Sequence, residues 1–318
     1  MSAPLLSVVV PCRDAARHLP VALASARRNA DDGTEWLLVD DGSTDATGRL
    51  LAAFRPQRGS ARVLTMPGPS GVVAARAAAL AEARGRYVTF LDADDWLAPG
   101  HLPAMVAAIR RLDVDFVRCD HVQVTGVQRS LRRVAEGRRD RALPAHDGIG
   151  LRPGTQSAVD APNLWAGVYD RRLVERGLLD VDPAIRTAED RLIVWRLHLH
   201  ADRFAVVDAP GYRYRREVAG SLTAIGDERQ LHFFDAYETV ARDLDADPAL
   251  ERFRPKLVRC VVDLIGHHEV SRARLHPVVH RRFRERARRA LRGLPAPLVR
   301  DAVAALAPER AAALRGIA

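Results

Sequence analysis

Short apolar runs that end in clustered acids constrain this chain more than anything else in it. Tyr87 to Leu91 is such a run, and Asp92, Asp94 and Asp95 follow it directly. Trp96-Leu-Ala-Pro-Gly100 breaks the pattern, and a helical periodicity begins near His101. The acids therefore fall where a buried strand reaches its carboxyl end, the edge at which open α/β sheets bind ligands. Carboxylates clustered there repel one another unless a cation or a proton intervenes. Hard oxygen ligands suit Mg²⁺ or Mn²⁺, and Mg²⁺ usually binds through a carboxylate or two plus the phosphates of a substrate. The plainer alternative is a solvated acidic turn that caps the next helix.

The rest of the first hundred residues repeats the pattern. Leu5 to Pro11 reads as a buried strand, and Leu19, Leu23 and Ala26 lie on one face of a helix. Glu35 to Asp40 is a second strand that runs into Asp41-Gly-Ser-Thr-Asp45, where Gly42 permits a tight turn and Ser43 or Thr44 can cap the helix that follows. Arg62 to Met66 is a weaker third strand, and Val72 to Ala83 is an Ala-rich helix. Strand and helix in alternation predict a doubly wound, mostly parallel sheet. A plain capped turn needs only one acid, so Asp40 and Asp41 near the strand of Asp92 point to a shared pocket. Beyond it, 116–119 and 121–126 read as two strands paired antiparallel, and 128–160 as a long polar loop. Thr187-Ala-Glu-Asp190 caps and opens a helix whose Leu192, Trp195 and Leu199 share a face. From Asp227 the pattern is helical, interrupted at Pro248, Pro277, Pro295 and Pro308.

Composition excludes several classes. Three separated cysteines, Cys12, Cys119 and Cys260, argue against a disulfide framework or a zinc cluster and fit a reducing cytoplasm. The first residues lack the basic start and apolar core of a signal peptide, and no uncharged apolar stretch is long enough to span a membrane. P-loop, zincin and Cys-x-x-Cys patterns are absent. His198, His200, His267 and His268 read as ordinary histidines rather than ligands. Residues 251–318 hold 16 Lys+Arg against 6 Asp+Glu, leaving the first 250 residues near neutrality within a chain of net charge +9. A neutral body with a basic tail suggests that the tail meets something anionic. A solvated helical face, anionic lipid head groups and an anionic acceptor are the three readings; no nucleic-acid-binding fold is visible.

Four motifs in order, Val8-Val-Val-Pro11, Asp40-Asp-Gly-Ser-Thr-Asp45, Gly71 to Arg76, and Gly85 to Asp95, resemble the family 2 inverting glycosyltransferases. Weaker similarity continues through Trp165 to Tyr169, Thr187 to Asp190, and Tyr212 to Thr223. The resemblance implies a GT-A fold: a Rossmann-like, mixed but mostly parallel sheet flanked by helices. It also implies a boundary, with a glycosyltransferase domain over 1–225 (nucleotide half 1–100, acceptor half 101–225) and a basic all-helical extension over 226–318.

The resemblance also assigns roles. Pro11 and Asp14 border the nucleotide base, and Asp41 meets it, commonly uracil. Arg76 lies near the donor. Asp92 meets ribose or metal, Ala93 follows it along the donor, and Asp94 is the direct ligand of Mn²⁺ or Mg²⁺. Asp190 is the catalytic base. Arg215 and Ser221 close over the pyrophosphate. Trp165, Tyr169 and Glu189 are acceptor contacts, although Ala166 and Gly167 stand where members often carry Asn and then Lys. Without the resemblance, Glu189-Asp190 reads as N-terminal helix charge and Trp165 as core. The implied activity moves a sugar from a nucleotide diphosphate, UDP foremost, to an acceptor hydroxyl, by a cytoplasmic protein peripheral to the inner membrane face. A nucleotidyltransferase, releasing pyrophosphate instead, and a non-catalytic nucleotide-sugar or polyanion binder are the alternatives.

Overall fold

The computed structural model describes residues 3–150, 155–216 and 225–317. The chain forms two compact units: Met1–Ala145 with Asn163–Ala184 and His200–Val218, and His146–Pro162 with Ile185–Leu199 and Ala219–Ala318. Set beside the expected boundary at 225, the second unit also takes in 146–162 and 185–199.

In the first unit, strands β1 (Leu6–Cys12), β2 (Thr34–Asp40), β3 (Ser60–Thr65) and β4 (Tyr87–Phe90) alternate with helices α1 (Leu19–Asn29), α2 (Thr47–Ala52) and α3 (Val72–Glu82). There follow β5 (Trp96–Leu97), α4 (His101–Leu112), β6 (Phe116–Thr125), β7 (Gln128–Arg132), β8 (Leu143–Pro144), β9 (Gly167–Asp170), α5 (Arg171–Glu175) and β10 (Arg203–Arg215). All ten strands join one sheet in the order β3-β2-β1-β4-β9-β6-β10-β5, with β7 on β6 and β8 on β10. The β3-β2-β1-β4 ladders and the β6–β10 ladder are parallel, and β9 runs antiparallel between β4 and β6. The expected mixed, mostly parallel sheet is what forms. Every residue of β2 and β4 is buried, as strands covered on both faces require. β1 has β2 on one side and β4 on the other, so the winding reverses there and leaves a crevice at the carboxyl ends.

One strand replaces two between 116 and 125. The break expected at Asp120 does not occur, because its carboxylate accepts from Arg139 at 2.9 Å and from the Val134 amide at 2.8 Å. The antiparallel partner of β6 is β7, built from the start of the segment read as loop, with Gly126 at φ 56° in the turn.

The second unit is helical among its described residues: α6 (Glu189–His200, its last residue in the first unit), α7 (His232–Asp245), α8 (Arg254–Val270), α9 (Pro277–Gly293), α10 (Ala296–Ala304) and α11 (Pro308–Arg315). The prolines expected as breaks mark beginnings. Pro277 and Pro308 open α9 and α11, where a missing N–H costs nothing. Phe233 and Phe234 of α7, His268 of α8 and Phe283 of α9 form one ring cluster. Lys256, the only lysine, is buried and pairs with Asp160 together with Arg259; Ser157 gives that carboxylate its N–H at 2.6 Å. Burial pushes the Asp160 carboxyl up, but the two cations outweigh it and hold the group below its ordinary value. That pairing draws 155–160 into the helical unit. No described helix is long and apolar enough to cross a membrane.

Candidate active site

The loops after β1 and β2 are laced together at the crevice. Asp14, at φ 44°, accepts from the Thr44 amide at 2.8 Å and its hydroxyl at 3.1 Å, while its own N–H donates to Ser43 Oγ at 3.1 Å. The Thr44 amide is the leading cause that holds the Asp14 carboxyl below its ordinary value. The N–H groups of Ala15 and Ala16 donate to Thr47 Oγ1 at 2.8 Å and Asp45 Oδ2 at 3.0 Å. Ser43 and Thr44 are thus spent on the neighbouring loop. Asp45, accepting the Thr47 amide at 2.8 Å, serves the start of α2 in their place. Pro11 lies within β1 beside Val39 of β2.

Asp41 is 3% exposed, and its two oxygens accept the N–H groups of Ser70 and Gly71 at 2.7 and 2.8 Å. It clamps the loop that leads into α3. Gly42 allows that approach: at φ 69°, a Cβ there would meet the backbone of Gly68 and Pro69 at 2.8 Å. Each carboxylate oxygen keeps a second lone pair for another donor. Asp41→Ala would orphan both amides, so a loss of about 2–3 kcal/mol in a urea melt is expected; an unchanged midpoint would refute the clamp.

Beyond β4, Asp92, Asp94 and Asp95 do different things. Asp92 pairs through Oδ1 with Arg76 at 3.2 Å, and the Arg76 guanidinium also lies 5.4 Å from the Phe90 ring centroid. Arg76 is buried in α3, a helix whose Ala75 and Ala79 pack with no exposure at all. Ala93 is buried between the two acids. Asp94 is pushed up to about 6, first by burial and then by the charge of Asp92, against the opposing pull of Arg215. Asp95 is wholly buried and accepts the Arg215 N–H at 2.6 Å; burial raises it furthest, then Asp94 and Asp92. Arg215, the last residue of β10, also donates from Nε to the Asp94 carbonyl at 2.8 Å and stacks 4.7 Å from the Trp96 ring centroid. The acid loop is therefore held between an arginine of α3 and an arginine of β10. Cys12, at the end of β1, has its thiol kept protonated by burial and then by the charges of Asp40 and Asp92.

Tyr212 and Tyr214 carry no role in the sequence reading, yet both reach this site. The Asp92 amide donates to Tyr212 Oη at 3.1 Å. Trp165 stacks on Tyr212 with centroids 4.2 Å apart and on Tyr214 at 5.2 Å, and His121 meets its edge at 4.7 Å. Burial, and then nearby Arg118, lowers His121 to about 4. The signal for the tyrosines is the Tyr-x-Tyr alternation that puts both on one face of β10. Tyr169, expected at an acceptor, is placed in the core: it has no exposure and donates its hydroxyl to the Leu164 carbonyl at 2.7 Å.

Glu189 and Asp190 form the first turn of α6 in the second unit, Glu189 buried and Asp190 partly exposed. Thr187 gives its hydroxyl to the Arg229 carbonyl. Ala188 precedes the pair at φ 63°, a left-handed conformation that costs a β-carbon-bearing residue about 1 kcal/mol and is characteristic of functional sites. Ser221 lies outside the described residues. Among those described, no group of three or more His, Cys, Asp or Glu is arranged to hold a metal ion.

Residues 7–162 match the model of glycosyl transferase family 2. EpsH of Bacillus subtilis is 25% identical over 271 residues, which cover 82% of this chain and 75% of EpsH. The succinoglycan biosynthesis protein ExoO of Rhizobium meliloti is 31% identical over 233 residues, 70% of this chain and 63% of ExoO. The crystal structure of S. aureus TarS 1-349 in complex with UDP-GlcNAc is 18% identical, with a TM-score of 0.74 over 98% of this chain and 90% of that one. A complex of TarS 1-349 with UDP has a TM-score of 0.66 at 19% identity. The acid loop, the sheet order and the match over 7–162 agree: the chain is a glycosyltransferase whose residues 7–162 belong to glycosyl transferase family 2.

Proposed function

We propose that this chain moves a sugar from a nucleotide diphosphate donor, a UDP-sugar, to an acceptor hydroxyl with inversion at the anomeric carbon. The observation that carries the proposal is the convergence of Asp92 and Asp94 with Arg76 and Arg215 where the sheet changes its direction of winding. TarS, of similar fold, binds UDP and UDP-GlcNAc, which supports UDP as the nucleotide. ExoO belongs by name to succinoglycan biosynthesis, which supports a saccharide acceptor.

The residues present fit a divalent cation. Asp94 is a partly buried carboxyl whose charge is disfavoured by burial and by Asp92, so a cation beside it relieves both costs. Asp92 and Asp94 would be the protein's share of the ligands, with water and the donor's phosphates as the remainder. A bound Mn²⁺ or Mg²⁺ supplies stabilisation of the negative charge that builds on the departing diphosphate.

The chain's own groups carry the remaining steps. Asp190 takes the proton of the acceptor hydroxyl as its oxygen bonds to the anomeric carbon. The bond from that carbon to the diphosphate oxygen breaks, and its electron pair leaves with the nucleoside diphosphate. The transition state is oxocarbenium-like, as in glycoside hydrolysis. Arg76 and Arg215 offset the charge on the leaving group. Asp41 and Asp14 border the nucleotide base, Pro11 and Ala93 line the donor, and Trp165 and Glu189 face the acceptor.

The test is product analysis with a panel of UDP-sugars, Mn²⁺ and saccharide acceptors. UDP release matched by glycosylated acceptor, falling at least about a hundredfold in EDTA, is the expected result. Release of pyrophosphate would replace glycosyl transfer with nucleotidyl transfer, binding without turnover would leave a nucleotide-sugar binder, and full activity in EDTA would remove the metal.

A further inference from the structure

α9 carries seven arginines and a single acid, Glu285, within 17 residues. The helix buries Val279, Phe283 and Ala287 at four-residue spacing, so its arginines divide by direction. Four of them are engaged by the unit itself. Arg286 pairs with Asp235 at 2.7 Å and Arg282 with Glu228, while Arg284 and Arg288 donate to the carbonyls of Gly316 and Ile317. The other three, Arg281, Arg289 and Arg292, are exposed and have no hydrogen-bond or ion-pair partner among the described residues. Positions 278, 281, 285, 289 and 292 follow one helical stripe. The stripe thus holds three unengaged guanidinium groups, Glu285 and a 41% exposed Val278. Arg274 and Arg300, also exposed, precede and follow it in the chain.

Like charges gathered on one stripe repel one another and lower stability unless an anion faces them. From Arg281 to Arg292 the row is about 16 Å long on a straight helix, and its Glu285 and Arg289 also line a cavity shared with Glu228, Leu231 and His232. An outward face suits a flat array of phosphates. Guanidinium groups pair with phosphate oxygens through two N–H groups at once, and an exposed apolar residue at one end of the row suits the boundary below the head groups. No described helix is long and apolar enough to cross a membrane. We propose that the outward face of α9 docks this chain on an anionic lipid bilayer through Arg281, Arg289 and Arg292.

The test is co-sedimentation of the full chain with vesicles of phosphatidylcholine alone or mixed with phosphatidylglycerol, at low and high salt. The wild type is expected to pellet with the anionic vesicles at low salt and to be released as salt screens the contact. Arg281→Glu/Arg289→Glu/Arg292→Glu is expected to lower partitioning by about a hundredfold, roughly fivefold for each lost arginine before the repulsion of the new acids. Arg28→Glu/Arg58→Glu/Arg110→Glu makes the same change in net charge at exposed positions of the other unit and is expected to keep most of the binding. Equal loss in both triple variants would replace docking by general charge attraction and overturn the proposal. So would equal binding to neutral vesicles, or retention of soluble polyphosphate by a protein that ignores anionic vesicles. Wild-type UDP binding by the α9 variant separates loss of docking from loss of fold.

Discussion

Asp94→Asn is expected to abolish sugar transfer, by at least about a thousandfold in kcat/KM, and at the same time to raise the melting temperature at pH 7. The loss of rate follows from the proposed role of Asp94 as a ligand of the cation that would stabilise the leaving diphosphate, an interaction worth several kcal/mol. The gain in stability follows from the raised carboxyl, which burial and Asp92 push from 3.8 up to about 6. An acid raised in the folded state favours folding only while protonated. Its contribution is complete below about pH 4 and is lost as pH rises through about 6. Asparagine stays neutral, so the variant and the wild type should melt alike near pH 3.5 and diverge through that window. By pH 7 the variant should be ahead by about 1–3 kcal/mol. Mn²⁺ should raise the melting temperature of the wild type and leave that of the variant nearly unchanged, because the proposed ligand pair is intact only in the wild type. Normal turnover, or a variant less stable than wild type at pH 7, would remove Asp94 from the role given to it.

Asp190→Asn is expected to lower kcat by about a hundred- to ten-thousandfold, the usual worth of a positioned base, with the Kd for UDP within a few fold of wild type. The substitution preserves size while it removes the negative charge and with it the ability to take a proton. A single-turnover experiment separates the two quantities: donor protects the variant against heating as it protects the wild type, yet no glycosylated acceptor accumulates. Unaltered kcat would hand the proton to another group. A loss of UDP binding equal to the loss of kcat would make Asp190 a donor contact instead.

The acid loop could be read before any coordinates, because its signal is local. An apolar run that ends abruptly in carboxylates marks the carboxyl end of a buried strand whatever surrounds it, and β4 ends there. The alternation of periods that predicts a doubly wound sheet is local in the same sense. Less legible were the places where a distant partner changes the value of a residue. Asp120 looks like a strand breaker until Arg139 neutralises it. Ser43 and Thr44 look like helix caps until the loop after β1 takes up both side chains. Tyr169 looks like an acceptor contact until the core closes over it. The acids of 40–45 look like a binding cluster, and much of their capacity goes to holding backbone amides of neighbouring loops.

Residue order alone settled the class of the sheet, the position of its acids at the carboxyl ends, and the family these belong to, since each depends on neighbours within a few positions. Folding in three dimensions settled the rest. It chose which arginines flank Asp92 and Asp94, put Tyr212 under the Asp92 amide, and gathered 155–160 and most of α6 with the C-terminal helices. Those outcomes hang on burial and on pairs separated by tens to more than a hundred positions. Water sets the worth of a lone charge, and only the packed chain decides how much water each charge keeps.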